Sequence, residues 1–337
     1  MEPIRFWKNE VHEGDALEMM ADMPESSVHS VVTSPPHYQQ KDYGPEKQIG
    51  HEDTVEEYVE KLCEVADGVA RVLRDDGSFW LSLGDKYDDK DKQMVPYRVA
   101  IALQDRGWTI RNDVTWVKKD GGKPQSGHDK LTPQTERFFH LVQQKRGYYY
   151  DINPVRVPKK SEPELFPLRD DIYEGKNPGD VIECGTERYA DAVFSVFPPK
   201  LVKTPILTTV PKKACTECGT PYTRVLDENR KGYQTGRESE YTGNHITGGE
   251  EKKFPKTIWR HVGWQSDCDC QATGDDAGVV LDPFCGSGTV LQVARHFNRD
   301  YVGLDLNSEH VDLARRDLSL TMEDPTVEPI ADSALSW

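Results

Sequence analysis

Apolar residues in this chain come in short blocks, and the blocks differ in period. The run Val28–Val32 (VHSVV) reads as a buried strand. It leads straight into Thr33-Ser34-Pro35-Pro36, where proline cannot continue a central strand, so a stiff loop must follow. Thr54-Val55-Glu56-Glu57 forms a capping box. It opens a helix whose apolar positions, from Val55 and Tyr58 through Leu62, Val65 and Val69 to Val72 and Leu73, recur at helical spacing. Asp75-Asp76-Gly77 marks its end. Ser78–Leu83 (SFWLSL) predicts a strand, and Val95–Arg106 a helix stopped by Gly107. Trp108, Ile110, Val114 and Trp116 keep a strand's period of two, and Arg137–Gln143 predicts another strand.

Beyond that point the pattern weakens and then returns. Asn153–Lys176 is rich in proline and charge and reads as irregular. Asp227–Lys253 has few apolar residues and predicts a long mobile loop. Val279–Phe284 (VVLDPF) predicts a strand, Thr289–Phe297 a helix, Tyr301–Leu306 a strand and Ser308–Leu320 a helix, with a loose tail from Glu323. Strands alternating with helices predict an α/β fold with a mainly parallel sheet and helices on both faces.

A length of 337 residues allows one large domain or two modest ones, and 36% hydrophobic content suffices for a core. No apolar run reaches the roughly 18 residues of a membrane span. Met1–Glu10 has no signal-peptide core. A membrane protein, a secreted disulfide scaffold and a wholly disordered chain are therefore not expected; a soluble cytoplasmic enzyme is. The net charge of −16 argues against a protein that coats nucleic acid non-specifically, and would suit a cytoplasm of high salt. Two islands run against it, a local +4 over Asp105–Arg146 and a local +3 over Lys212–Val262. They suit an anionic ligand approached from one side, or are chance clustering.

Two segments carry candidate chemistry. Asp282-Pro283-Phe284-Cys285-Gly286-Ser287-Gly288-Thr289 is a strand end, a glycine turn and a helix start. Such a turn lets backbone approach a ligand and offers free N–H groups. Asp305 ends the next strand, 19 residues after Gly286, where a carboxylate can accept ribose hydroxyls. There is no Walker lysine, and Val290 and Leu291 stand where a dehydrogenase fingerprint needs glycine, so neither ATP hydrolysis nor hydride transfer fits. Thr33-Ser34-Pro35-Pro36-His37-Tyr38 follows its own strand and aims at the carboxyl edge of the sheet, where open α/β sheets bind ligands.

Together these segments resemble the amino-methylating DNA methyltransferases. With TSPP before DPFCGSGT, the order resembles their permuted β class. The resemblance covers most of residues 10–320. It extends to Gly14-Asp15-Ala16-Leu17, to Thr132-Pro133-Gln134-Thr135-Glu136, and to Asn177–Val181 with Val196-Phe197-Pro198. It implies a Rossmann-like sheet that binds S-adenosylmethionine through Asp15, Thr33, Phe197, Asp282, Pro283, Phe284, Gly286, Ser287, Gly288, Thr289 and Asp305, with Asp15 near the adenine. It implies a target base handled by Ser34, Pro35, Pro36, His37 and Tyr38. Relatives carry a stacking aromatic after Pro-Pro, whereas this chain carries His37, with Tyr38 beside it. Serine at position 34 resembles cytosine-N4 enzymes, and aspartate or asparagine there resembles adenine-N6 enzymes. The chain is also similar to stand-alone cytosine-N4 methylases of haloarchaea that modify CTAG.

The expected function is methyl transfer to cytosine N4 in double-stranded DNA after base flipping, in the manner of restriction-modification systems. Adenine-N6 transfer is the alternative within the class, and an RNA amino-methyltransferase fits less well. A zinc-stabilised DNA-binding protein with a vestigial cofactor fold is the alternative outside the class. A homodimer and a cognate restriction enzyme both stay open.

Cys215, Cys218, Cys268 and Cys270 pair as CxxC and CxC. Without a secretion signal they predict a structural zinc site, or else four reduced cysteines at the base of an insertion; His245 and His261 are reserve ligands. Cys285, in the glycine turn, reads as a small packing residue. The expected organisation is a catalytic half (10–150), a Pro-rich segment with a pre-cofactor helix (151–211), a Cys-rich basic insertion (212–272), a cofactor half (273–322) and a tail (323–337). Base-reading candidates are Lys118, Lys119, Lys123, Lys130, Arg230, Lys231, Arg237, Lys252 and Lys253.

Overall fold

The computed structural model describes residues 3–45, 47–119, 129–157, 175–185, 187–188, 195–237, 241–242, 245–246, 251–271 and 274–323. The chain divides into two compact units. One comprises residues 1–151, 179–221 and 268–337, the other residues 152–178 and 222–267. Lys123, most of the Pro-rich stretch and the tail beyond Glu323 lie outside the described residues. So do the side chains of Arg230, Lys231, Arg237, His245, Lys252 and Lys253.

The first unit is built on an eight-stranded sheet. Its strands are β1 (Glu10–Glu13), β2 (Val28–Thr33), β3 (Leu73–Leu83), β4 (Thr109–Lys118), β5 (Thr135–Val142), β6 (Val181–Cys184), β7 (Val279–Asp282) and β8 (Asp300–Asp305). They lie in the order β1-β8-β7-β2-β3-β5-β4-β6. All run parallel except β5, which is antiparallel to both β3 and β4.

Alternation along the strands divides the core in two. Val31, Phe79, Leu81, Leu141, Leu281 and Leu304 pack with α1 (Ala16–Asp22), α2 (Val55–Val72) and α3 (Val95–Asp105). Their neighbours Val32, Trp80, Phe138, Val280 and Tyr301 pack on the other face with α4 (Pro199–Thr209), α5 (Thr289–His296) and α6 (Ser308–Glu323). The expected sheet with helices on both faces is what the chain forms.

The expected elements form within a few residues of their predicted limits, and the capping box at Thr54 closes in both directions. One boundary shifts. Leu73 leaves α2 and begins β3, with a register irregularity between Val28 and Ser30 where the strand accommodates Arg74–Gly77. Strand β1 is too short, and too poor in apolar residues, to show a period.

In the second unit the expected loop over Asp227–Lys253 is corrected. Tyr222–Arg237 and Glu251–Ser266 pair as an antiparallel hairpin, from Tyr222 opposite Ser266 to Arg237 opposite Glu251, with register shifts between Val225 and Leu226 and between Glu228 and Lys231. Main-chain hydrogen bonds carry that ladder and need no apolar alternation, which is why polarity alone misread it.

The parallel arrangement brings the ends of β1, β2, β3, β4, β7 and β8 to one rim. The approach to β7 is tight: a Cβ on Gly278 would lie 2.5 Å from Pro211 Cδ and 2.8 Å from its carbonyl oxygen. We expect Gly278→Ala to lower stability by about 1–3 kcal/mol, read as a lower denaturation midpoint with an unchanged slope.

Candidate functional site

Below the rim lies a cleft of about 1710 Å³, lined by the segments that end these strands. Strand β2 runs beside β7, with Ser30 opposite Val280 and Val31 opposite Leu281. This neighbourhood puts Thr33 next to Asp282. Both are buried, and the Thr33 hydroxyl donates to Asp282 Oδ1 at 2.6 Å across 249 residues of sequence. The Phe284 N–H donates to the same oxygen at 3.1 Å. Burial pushes the Asp282 carboxyl up to about 7. The two donors oppose that shift, and the Asp305 charge adds to it.

The glycine turn has the left-handed backbone that suits glycine, with φ of +53° at Gly286 and +82° at Gly288. Gly288 caps α5, and a Cβ there would sit 3.1 Å from that of Ala314. The Gly286 N–H donates to Asp305 Oδ2 at 2.8 Å. The other oxygen of Asp305 accepts from the Asn307 N–H at 2.9 Å and meets His310 Nδ1 at 3.2 Å. That bond holds the His310 imidazole above its ordinary value. Asn307 Nδ2 donates to the Tyr43 carbonyl, and the Tyr43 ring stands edge-on to His310. Sequence reasoning missed Tyr43, Asn307 and His310. The only signal for them was the Asn307-Ser308 cap directly after Asp305.

The Ser-Pro-Pro corner forms the opposite wall. Ser34, Pro35, Pro36 and His37 line the cleft, as do Pro283, Phe284, Ser287, Thr289 and Phe197. Asp15 lines it too, while its carboxylate caps α1 through the Leu17 and Glu18 N–H groups. Thr33 and Gly288 stand behind the lining. Tyr38 turns away: it is buried, its hydroxyl donates to the Asp53 carbonyl, and its ring lies 5.5 Å from that of Tyr58. The half-buried His37 accepts the Gly84 N–H on Nε2 at 3.2 Å, and Ser34 Oγ lies 3.4 Å from the same nitrogen. Trp116, Lys118 and Glu136 complete this end. Lys118 pairs with Glu136, and its ammonium sits 4.9 Å from the Trp116 ring centre.

The four paired cysteines converge as the spacing predicts, with all sulfur atoms within 4.8 Å of one another. The turn closes through Gly219 N–H to the Cys215 carbonyl and Cys215 N–H to the Thr220 carbonyl, each 2.9 Å. His29, buried at the start of β2, ties this knuckle to the sheet. Its Nδ1 accepts the Val279 N–H at 3.0 Å, so its Nε2 carries the proton and donates to the Gly219 carbonyl at 2.8 Å. Burial pulls the His29 imidazole down to about 4, which keeps it in this neutral form. Arg74 donates to the Cys218 carbonyl. His261 packs edge-on against Trp264. Among the basic candidates, Lys130 lies over the Tyr87 ring.

Thr33→Val removes the hydroxyl that stabilises the ionised Asp282. The folded-state pKa of that carboxyl should rise from about 7, so the penalty appears where the carboxyl must ionise. A loss of about 1–3 kcal/mol is expected in denaturation at pH above 7, shrinking as pH falls below it and the carboxyl is protonated in both forms.

Comparison with known proteins bears on what this rim does. A family model described as DNA methylase, of N6- and N4-methyltransferases, matches residues 28–316. The type II methyltransferase M.XycI of Xanthomonas campestris pv. cyanopsidis is 30% identical, covering 93% of this chain and 88% of its own length. M.SmaI of Serratia marcescens is 29% identical over 90% of this chain and 88% of its own. Among solved structures, the PvuII DNA methyltransferase (cytosine-N4-specific) superposes with a TM-score of 0.59 at 17% identity, covering 96% of this chain and 90% of that one. A putative DNA modification methylase of Thermus thermophilus, solved with S-adenosyl-L-methionine, gives 0.51 at 19% identity, covering 93% and 96%. These two likenesses concern the fold. With the family match spanning most of the sheet and its rim, the chain belongs to the N6/N4 DNA methylase family and is a DNA methyltransferase.

Proposed function

We propose that the protein transfers a methyl group from S-adenosylmethionine to the exocyclic N4 amine of cytosine in duplex DNA. The observation that carries this reading is the Thr33–Asp282 hydrogen bond, which holds the Ser-Pro-Pro corner and the glycine turn at one rim around one cleft. Serine at position 34 favours cytosine over adenine, and the PvuII enzyme of similar fold is described as cytosine-N4-specific.

The residues present fit the cofactor. Asp282, held near neutrality inside the core, suits an α-ammonium, which would draw the carboxyl into its ionised form. Asp305 offers acceptor oxygens beside the glycine turn, where ribose hydroxyls would sit, and Asp15 and Phe197 line the same cleft. S-adenosylmethionine supplies an electrophilic methyl group on a sulfonium sulfur. The chain's own task is orientation and exclusion of water. A cytosine amine is a poor nucleophile because its lone pair is delocalised into the ring. The Ser34 oxygen and the Pro35 carbonyl, accepting both amine hydrogens, would favour a pyramidal nitrogen with that pair released. The base must first leave the duplex, at a cost of a few kcal/mol, partly offset by packing in the cleft.

Duplex DNA treated with labelled S-adenosylmethionine, then digested to nucleosides and analysed by mass spectrometry, should yield N4-methyldeoxycytidine. N6-methyldeoxyadenosine instead would overturn the cytosine assignment. Ser34→Ala should cut transfer by about 10²-fold, while cofactor affinity, read by calorimetry, stays unchanged.

The cysteine knuckle belongs to the same proposal, as a structural zinc site. Four thiolates at a Zn–S distance of about 2.3 Å place sulfurs about 3.8 Å apart, and the observed cluster needs only slight contraction to reach this. The thiols act on one another, Thr220 lowering Cys218 while Cys218 raises Cys270, so a bound cation would be needed to hold all four as thiolates. The cysteines flank the hairpin in sequence, so the metal would close the chain on both sides of it. Elemental analysis of the purified chain should find about one zinc ion per molecule. Cys218→Ser should lose it and lower the melting temperature. Metal-free protein with four freely titrating thiols would refute the site.

A further inference from the structure

We propose that His37 takes up the proton released by the target amine, through the hydroxyl of Ser34. This rests on the methyl-transfer reading above and assigns a proton route within it.

Relatives place a stacking ring after Pro-Pro. Here the ring at that place is committed elsewhere. The Gly84 N–H points at Nε2 from 3.2 Å, so that nitrogen carries a lone pair and the proton of the neutral imidazole is on Nδ1. Ser34 Oγ stands 3.4 Å from the same lone pair, so the serine hydroxyl is the donor and its oxygen is left to accept. Apo hydrogen bonds of this kind are often long and tighten in the complex. The ring packs against bare main chain: a Cβ on Gly84 would lie 2.6 Å from Nδ1 and 2.9 Å from Cε1. Bond and packing together fix its plane.

The charges facing the ring come from three places. Glu136 on β5 favours the protonated form, Lys118 on β4 and Lys41 on its own loop disfavour it, and Gln40 hydrogen-bonds to it. Burial outweighs these and holds the imidazole below its ordinary value, neutral near pH 7 and ready to accept.

The amine nitrogen bonds to the methyl carbon as that carbon's bond to sulfur breaks, and sulfur keeps the electron pair. The nitrogen, now positively charged, passes one proton to Ser34 Oγ, which passes its own hydroxyl proton to His37 Nε2. While protonated, Nε2 cannot accept from Gly84; the imidazolium then loses the Nε2 proton to solvent and the Gly84 hydrogen bond re-forms. An N-methylated aminopyrimidinium is a strong acid, so a weakly basic imidazole suffices. Ser34 is left with its new proton on the cleft side, and the hydroxyl turns back toward Nε2 once that nitrogen is again unprotonated.

The test is single-turnover methyl transfer to duplex DNA across pH, with His37→Phe and His37→Gln. The wild-type rate should fall with one ionisation as pH drops and Nε2 becomes protonated. Phenylalanine keeps a stacking ring, and glutamine keeps an acceptor for Gly84. Both should lose about 10²-fold and the acid limb with it, while S-adenosylmethionine affinity by calorimetry is unchanged. Nitrogen-15 histidine spectra of the free protein should find the neutral His37 protonated on Nδ1. Either variant keeping wild-type rate and limb, or spectra with the proton on Nε2, would overturn the route. Methyl found on adenine N6 would overturn only the base assignment, since the route serves either amine and the spectra need no DNA.

Discussion

The bond between Thr33 and Asp282 is the constraint around which the site is arranged. A carboxyl inside a core costs several kcal/mol unless donors meet it, and this one is met by a hydroxyl from the neighbouring strand and a main-chain N–H from its own turn. The arrangement exists only because β2 and β7 are adjacent and parallel. Their carboxyl ends then fall on the same rim whichever strand the chain visits first. The permuted motif order is therefore no obstacle, because spatial order fixes which loops meet.

Much of this was legible in the sequence, and the limits have physical causes. The strand into Thr33-Ser34-Pro35-Pro36, the helix opened by Thr54, and the strand–turn–helix from Val279 to His296 each carry several agreeing signals, and each formed as read. The cysteine spacing foretold the cluster, since ligand pairs in CxxC and CxC have few other places to go. The hairpin was missed because Asp227–Lys253 holds few apolar residues, so nothing in the polarity of that stretch separates ladder from loop. The position of His37 was legible but its company was not. Gly84 lies 47 residues away, and no local pattern says that its N–H will meet an imidazole. Tyr38 illustrates the converse, a side chain that looks chemical in the sequence but is buried against Tyr58.

The cleft is not a basic funnel. Lys41, Lys86 and Lys118 line it together with Asp85, Glu136 and Asp305. Several of these charges are paired, Lys118 with Glu136, Lys92 with Asp85, and His310 with Asp305. In a chain of net charge −16, selectivity in such a space comes from directed donors and acceptors rather than from a long-range field.

His29 accepts from the first residue of the strand that carries Asp282 and donates to the turn between the cysteine pairs. The imidazole and the cysteine turn thus depend on each other. Deleting the turn would strand a buried ring N–H, and replacing the histidine would orphan the Val279 amide and the Gly219 carbonyl together. A chain built without the cysteine turn would need a different residue at the second position of β2, or a new acceptor for the ring.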